Sequence, residues 1–210
     1  MSTGRSYASE RRSAQAADTR RRIAGAARAL FIERGFGTTT IDAIAAAAGV
    51  APATVYAVFK TKRAILLQLL DDWEADADIA ARRAAVAASA DDARAQLRHD
   101  VEWHVRFFTR GADLVAAVRA AGPADPTFDA LRVEGEARRR AWHEPLVRAW
   151  ARGGKLRARL SEEEATDVLF VMSGDRLYDQ FVRELGWPTE RYAEWLYRTL
   201  ERLLLADEST

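Results

Sequence analysis

The first informative absence in this chain of 210 residues is that of cysteine. Without cysteine the protein has no disulfide bond, no thiolate metal site and no cysteine nucleophile. Proline is scarce, with five residues, and sustained alternation of β-branched residues is missing, whereas alanine is abundant. This composition favours helices over strands, so we predict an all-α fold.

A long uninterrupted hydrophobic segment is missing as well. The longest run without a charged residue covers residues 43–59, is 17 residues long, and contains Gly49 and Pro52. It is shorter than a membrane-spanning helix. The start of the chain is polar and basic, with no apolar segment before a cleavage site. We therefore expect a cytoplasmic protein with no membrane partner.

Motifs typical of catalysis are also lacking. The histidines are His99, His104 and His143, and the first two lie five residues apart. This misses the i, i+4 spacing that places two metal ligands on one helical face. There is no nucleophile elbow, phosphate-binding loop or paired-carboxylate motif. We therefore expect no enzyme activity, no metal site and no cofactor.

The formal net charge of +1 hides an uneven distribution of charge. Residues 1–63 contain 11 Lys/Arg and 4 Asp/Glu, which gives +7, and residues 64–210 carry a net charge of −6. A basic first third favours contact with a polyanion such as DNA. A solvated basic tail beside an acidic domain has the same charge pattern, so charge alone does not decide between the two.

The N-terminal third shows a pattern of three helices after a polar start. Residues 1–17 lack apolar periodicity and are expected to form a flexible basic arm. A first helix with one apolar face is predicted from about Asp18 to Gly35. A short second helix follows a run of threonines and ends at Gly49, and a third begins at Pro52. Two short helices joined by so tight a turn predict a helix-turn-helix.

This unit resembles the DNA-binding domain of TetR-family transcriptional regulators. The resemblance is carried, at the spacing typical of the family, by Phe31–Phe36, Thr39–Ala45, Thr54–Phe59 and Lys62. It implies that residues 18–63 form a three-helix DNA-binding domain that contains the helix-turn-helix. It also implies that residues 64–210 form a larger helical domain that binds a small ligand and dimerises.

The residue types of this unit suit contacts with DNA. Hydroxyls and lysines reach phosphates, and small apolar side chains suit thymine methyl groups. The DNA-binding residues predicted on this basis are Thr39, Thr40, Pro52, Ala53, Thr54, Tyr56, Lys60 and Lys62. Ala51 stands before Pro52, where a helix usually has a polar side-chain cap, so we predict that the third helix lacks one.

The C-terminal region carries no motif of comparable strength. Its periodicity predicts a helix from about Thr61 to Ala88, one marked by Leu97 to Phe108, a short one to Ala121, and helices over residues 127–152, 162–185 and 189–205. Ser161 with Glu164 forms a capping box before the penultimate helix. In the family the last two long helices usually dimerise, which makes dimer-interface candidates of Phe181, Trp195, Leu200 and Leu203.

Aromatic and histidine side chains of this region are candidates for a ligand pocket. They are Trp103, His104, Phe107, Phe108, Trp142, His143, Trp150, Phe170, Met172 and Tyr178. Such a lining suits an apolar small molecule with a histidine to orient it. Aromatic residues at helical spacing are also typical of an ordinary core, so the pattern alone does not separate pocket from core.

The resemblance implies a homodimeric transcriptional regulator, a ligand-responsive repressor that binds a near-palindromic double-stranded DNA operator. Two alternatives stay open on the sequence. One is a DNA-binding regulator without a small-molecule effector. The other is a helical ligand-binding or interaction module that merely retains the N-terminal head.

Overall fold

The structure is a computed structural model that describes residues 3–89, 92–122 and 126–207, without the side chains of residues 3–10 and 12. These ranges contain helices and one isolated antiparallel bridge, between Leu156 and Leu205, but no strand. The prediction of an all-α fold is confirmed. No single described helix is long and apolar enough to cross a bilayer.

Ten helices are found in the described residues. They are α1 (Thr3–Arg34), α2 (Ile41–Ala48), α3 (Pro52–Phe59), α4 (Lys62–Ala75), α5 (Ile79–Ala88), α6 (Ala93–Ala121), α7 (Pro126–Arg152), α8 (Glu162–Met172), α9 (Asp175–Tyr178), which continues as a π-helical turn (Asp179–Glu184), and α10 (Thr189–Leu204). Helices α1 to α4 form the head, and α5 to α10 form the body.

The first helix begins much earlier than the sequence pattern predicts. It starts at Thr3 rather than near Asp18, and the expectation of a flexible arm over residues 1–17 has to be corrected for this stretch. Residues 3–17 contain no proline and are rich in alanine and arginine, which are good helix formers. Residues 13–18 are exposed, so this part of the helix has no apolar face for a periodicity search to detect.

The head contains the predicted helix-turn-helix. The axes of α2 and α3 differ by 104°, within the range of this motif. Gly49 ends α2 with φ of 63°, a left-handed conformation that glycine adopts without a Cβ penalty. Val55 and Phe59 of α3 are buried against the other helices, and Val58 packs at the edge of the same core. The opposite face of α3 is thereby left to solvent.

The body differs from the predicted helix boundaries in three places. The predicted fourth helix is two helices, α4 and α5, separated at Asp76–Asp78, whereas the two helices predicted up to Ala121 are one, α6. The capping box of Ser161 and Glu164 is confirmed at the start of α8. The predicted helix 162–185 breaks after Met172, where the Ser173 hydroxyl donates to the carbonyl of Leu169 at 2.6 Å.

Head and body are joined where α4 crosses α6. The Trp73 indole lies directly over Gly111, where a Cβ atom would approach the ring atom Cε2 to 2.1 Å. Its Nε1 donates a hydrogen bond to the carbonyl of Phe107 at 2.9 Å, and its ring stacks on Phe107 with centroids 4.0 Å apart. Gly111 is therefore required by close packing, because any side chain would displace the indole.

We expect Gly111→Ala to lower the free energy of unfolding by about 1–3 kcal/mol, since the added methyl group overpacks the contact with Trp73. Gly25→Ala is the matched control: Gly25 also lies inside a helix, and a Cβ there meets no atom within 4 Å. We expect the control to raise stability by about 0.5–1 kcal/mol. Urea unfolding followed by circular dichroism measures both, and equal effects would contradict the close contact.

Candidate DNA-binding surface and effector cavity

One face of the head presents most of the residues predicted to bind DNA. We define the DNA-facing surface as Thr40, Pro52, Ala53, Thr54, Tyr56 and Lys60, all of which are exposed except Thr54, which is half-buried. The Tyr56 side chain is 54% exposed, which is unusual for a tyrosine in a packed helical domain. Its hydroxyl is free to reach a partner outside the chain.

Two threonines at the start of α2 have different roles. Thr40 is the N-cap, and its hydroxyl accepts a hydrogen bond from the amide of Ala43 at 3.1 Å. Thr39 is 2% exposed, and its hydroxyl donates to the carbonyl of Gly35 at 2.8 Å and lies 3.2 Å from the carbonyl of Leu30. The side chain of Thr39 is therefore not available to DNA, because the turn that ends α1 uses it.

Lys62 also differs from the prediction. Its ammonium group donates to the carbonyls of Phe36 at 2.5 Å, Thr39 at 2.7 Å and Gly37 at 3.2 Å, and it lies 4.4 Å from the centre of the Phe36 ring. Burial lowers the pKa of Lys62. An ammonium has three donors, and all three are used within the protein. Lys62 thus holds the α1–α2 loop rather than facing a phosphate.

The turn between α2 and α3 is held by an arginine from α1. Arg22 donates to the carbonyl of Ala48 at 2.5 Å and of Gly49 at 3.3 Å, where a cation also complements the dipole at the end of α2. Ala51 makes no side-chain cap to α3, as predicted. Pro52 occupies the first helical position, where its missing N–H costs nothing.

A cavity of about 230 Å³ lies between α4, α6 and α7. Its apolar wall includes Leu70, Trp73, Phe107, Phe108, Leu131 and Trp142. A dry apolar cavity of about 150 Å³ is enough to hold benzene, so this one has room for a somewhat larger apolar molecule. Gly135 also lines it, and a Cβ there would meet no atom within 4 Å.

Ion pairs surround the apolar part of the cavity. Arg138 pairs with Glu74 at 2.8 Å, which links α7 to α4. Arg119 of α6 pairs with Asp175 of α9 at 2.5 Å. Arg132 and Glu136, one turn apart on α7, pair at 2.9 Å. These exposed or half-exposed pairs contribute little energy each, and the first two connect different helices, α7 with α4 and α6 with α9.

Arg139 is the most buried charged group of the cavity wall. Its side chain is 8% exposed, its Nη1 donates to the carbonyl of Phe170 at 2.6 Å, and burial lowers its pKa to about 10. The carboxylates that act on it, Asp175 and Glu136, are bonded to other arginines, and no described carboxylate forms an ion pair with it. A buried guanidinium with donors to spare can bind an oxygen atom of a ligand.

Only three of the ten predicted ligand residues line this cavity, namely Phe107, Phe108 and Trp142. Trp150 is 1% exposed and donates to Gln96 at 2.8 Å, which is a core role. Trp103 stacks on Phe107 with centroids 5.0 Å apart and faces a neighbouring cleft. The remaining candidates, Phe170, Met172, Tyr178, His104 and His143, lie outside the cavity lining. Helical spacing could not separate the two groups, because α6 and α7 carry both buried core residues and residues that line the cavity.

His104 and His143 meet in the core of the body. Their rings stack with centroids 4.7 Å apart, and Asp100 Oδ2 lies 3.4 Å from His104 Nδ1 and 3.6 Å from His143 Nδ1. We call these three residues the Asp–His–His cluster; each is at most 1% exposed. The spacing of the histidines gives no sign of this cluster, whereas Asp100 and His104 lie at i and i+4 on α6, the spacing that places two ligands on one helical face.

The four residues predicted for a dimer interface divide into one core residue and three that are at least partly exposed. Leu200 is fully buried, so it belongs to the core and is not available to a second chain. Leu203 is 47% exposed. Phe181 and Trp195 are half-buried and pack against each other with ring centroids 4.4 Å apart. Leu203, Phe181 and Trp195 stay candidates for a dimer interface.

Residues 23–69 match the profile of the family described as bacterial regulatory proteins, tetR family. The fold is similar to the MbdR regulator from Azoarcus sp. CIB (TM-score 0.74, 22% identity, 90% of this chain and 100% of that chain). It is also similar to the transcriptional regulator FadR from Bacillus subtilis in complex with stearoyl-CoA (TM-score 0.67, 16% identity, 85% of this chain and 96% of that chain). A third similar structure is that of SmeT in complex with triclosan (TM-score 0.68, 18% identity, 90% of this chain and 93% of that chain). No curated protein sequence matches the chain.

We expect Lys62→Gln to lower the free energy of unfolding by about 1 kcal/mol, since three carbonyls lose a charged donor at a half-buried site. Lys60→Gln is the matched control, because Lys60 is exposed. We expect it to change stability by less than about 0.5 kcal/mol. Thermal unfolding of both variants tests whether Lys62 holds the α1–α2 loop. If Lys62→Gln is as stable as the wild-type protein, Lys62 again becomes a candidate for contact with DNA.

Proposed function

Because the chain belongs to the TetR family of bacterial regulatory proteins, we propose that it is a ligand-responsive repressor that binds a near-palindromic operator as a homodimer. That it is a DNA-binding regulator follows from the family of its N-terminal domain. The repressor role, the operator symmetry, the dimer and the effector are the parts proposed. With DNA as its target, its place of action is the cytoplasm.

The observation that carries the effector proposal is that one helix, α4, belongs to both the head and the cavity. At its N-terminus Lys62 holds the α1–α2 loop of the head. At its C-terminal end Leu70, Trp73 and Glu74 line the cavity. A ligand that moves this end of α4 therefore acts on the loop that supports the helix-turn-helix. Such a ligand contacts the cavity differently in the two positions of α4, and this difference in binding is what shifts the population between the two states.

Two further contacts would transmit such a shift. Arg28 of α1 forms a bidentate pair with Asp113 of α6, at 2.7 and 2.8 Å. Phe36, in the loop that Lys62 holds, packs edge-on against Phe128 of α7 with centroids 4.8 Å apart. The head thus rests on the same two helices, α6 and α7, that form the other walls of the cavity.

The chemistry of the cavity suggests the kind of effector. Its apolar wall favours an apolar, ring-sized body, and Arg139 offers a buried donor for one carbonyl, phenolate or carboxylate oxygen. We propose that Arg139, rather than a histidine as the sequence pattern predicts, orients the ligand. SmeT binds triclosan, a ring compound with a phenolic hydroxyl, and FadR binds stearoyl-CoA, which joins an apolar acyl chain to a charged group; both ligands combine an apolar part with polar atoms.

The proposed dimer would use the outer face of the last helices. Large apolar side chains are exposed there: Val171 is 64% exposed, Leu185 66% and Leu203 47%. Exposed apolar side chains on neighbouring elements are typical of an interface. A two-fold dimer would present two heads, as a near-palindromic operator requires.

A gel-shift series with the DNA upstream of the protein's own gene tests the DNA-facing surface. We expect sequence-specific binding that weakens steeply with salt. Tyr56→Phe and Lys60→Gln should each weaken it, and Lys60→Gln should reduce the salt slope by about 1, because it removes one phosphate contact. Thr39→Val is the control and should leave the salt slope unchanged. Unaltered binding by the Tyr56 and Lys60 variants together would disprove these contacts.

Gly135→Leu tests the cavity. We expect the added side chain to fill it and to abolish the thermal stabilisation that apolar ring compounds give the wild-type protein in a screen. The fold should tolerate the change, since a Cβ at Gly135 meets no atom within 4 Å and leucine is a better helix former than glycine. Equal ligand shifts in both proteins would contradict the site. A screen with no shifts in wild type would favour a regulator without a small-molecule effector.

A further inference from the structure

The Asp–His–His cluster contains three buried polar atoms that lack a hydrogen-bond partner among the described residues: Asp100 Oδ2, His104 Nε2 and His143 Nδ1. One ligand atom from each of the three residues can be chosen so that all lie within 4.8 Å of one another. Buried polar atoms are normally satisfied, because an unpaired one costs about 1–3 kcal/mol. Three unpartnered atoms on three residues that contact one another therefore need an explanation.

The partners of His104 determine which of its nitrogens carries the proton. His104 Nδ1 lies 2.9 Å from the backbone carbonyl of Asp100. A carbonyl oxygen only accepts, so Nδ1 must be the N–H donor. In the neutral ring the proton is then absent from Nε2, which presents a bare lone pair.

His143 has the opposite arrangement. Its Nε2 lies 3.3 Å from the Ser173 hydroxyl, whose own proton is donated to the carbonyl of Leu169. The Ser173 oxygen therefore accepts, and His143 Nε2 is the donor. This assigns the proton of the neutral ring to Nε2 and leaves Nδ1, which has no hydrogen-bond partner among the described residues, as the nitrogen with the lone pair.

The third atom belongs to an ionised carboxylate. Arg82 donates from both Nε, at 2.8 Å, and Nη2 to Asp100 Oδ1. These two hydrogen bonds from a guanidinium stabilise the ionised form of the carboxyl group. Oδ2 is left without a donor. The cluster thus gathers three acceptors, two nitrogen lone pairs and one carboxylate oxygen.

One occupant satisfies all three atoms at once. A proton on His143 Nδ1 would serve Asp100 Oδ2 but would leave His104 Nε2 unpaired. A water molecule has two protons to donate, one fewer than the acceptors. A metal ion accepts all three lone pairs, and two imidazole nitrogens with one carboxylate oxygen form a donor set suited to zinc and related transition metals.

We propose that Asp100, His104 and His143 form a binding site for one divalent transition-metal ion of the zinc class, separate from the effector cavity. Each ligand already has the outer partner that metal ligands usually have: a backbone carbonyl for His104, a hydroxyl for His143 and a guanidinium for Asp100. Such partners orient the ligands and determine which nitrogen faces the metal.

The charge balance of the site favours an anion as the fourth ligand of the metal ion. Arg82 neutralises Asp100, so a divalent ion brings excess positive charge into a buried site. Three protein ligands leave one position of a tetrahedral ion open, and hydroxide or another small anion there reduces the excess. The ion would join α6 to α7 and, through Ser173, to the segment between α8 and α9.

Titration of tag-free, chelator-treated protein with ZnCl2 tests the proposal. We expect calorimetry to show one zinc ion per chain, and CoCl2 to give the visible absorption bands of a four-coordinate cobalt site. His104→Gln and His143→Gln should each lower zinc affinity at least about 100-fold, and Ser173→Ala about 10–100-fold through loss of an outer partner. The control is His99→Gln, which changes the remaining histidine and should bind zinc as wild type does.

Two outcomes would overturn the proposal. If it takes up no zinc and gives no cobalt absorption, the cluster is a buried polar network without a metal. If it binds zinc but the His104 and His143 variants, folded by circular dichroism, bind equally well, the ion lies elsewhere. Neither result depends on operator binding or on the effector cavity, so the regulator assignment is tested separately.

Discussion

The structure depends on one contact, the indole of Trp73 seated on Gly111. It brings α4 so close to α6 that Nε1 reaches the carbonyl of Phe107 and no space is left for a side chain at position 111. Because α4 is also the last helix of the head, this contact sets how the head stands on the body. The cavity lies beside this contact, because the large aromatic rings where α4, α6 and α7 meet do not fill the space between the three helices.

Buried polar groups give the body its two candidate sites. A helical bundle is stable with apolar side chains alone, and each buried charge costs energy unless it is paired. Among the described residues, no carboxylate forms an ion pair with Arg139 beside the cavity, and three acceptor atoms of the Asp–His–His cluster have no donor. In both places the missing hydrogen-bond or charge partner defines the chemistry of a ligand. The guanidinium group needs an oxygen atom, and the three acceptor atoms need a cation.

Much of the head could be predicted from the sequence, because its signals are local. The αL turn at Gly49, the missing cap at Ala51 and the inward face of Val55 and Phe59 follow from residue type and helical period. The assignment of Lys62 failed for a non-local reason. Its donors meet carbonyls more than twenty residues away in sequence, and no pattern within one helix reveals such partners.

The sequence by itself determined the all-α class, the helix-turn-helix and the resemblance to a family of regulators, since composition, helical period and motif spacing are properties of neighbouring residues. Only the tertiary structure decided which aromatic residues line a cavity, that Leu200 and Thr39 are buried, and that Asp100 meets two histidines. Those outcomes depend on how α4, α6 and α7 cross, and a crossing is fixed by packing between residues far apart in the chain.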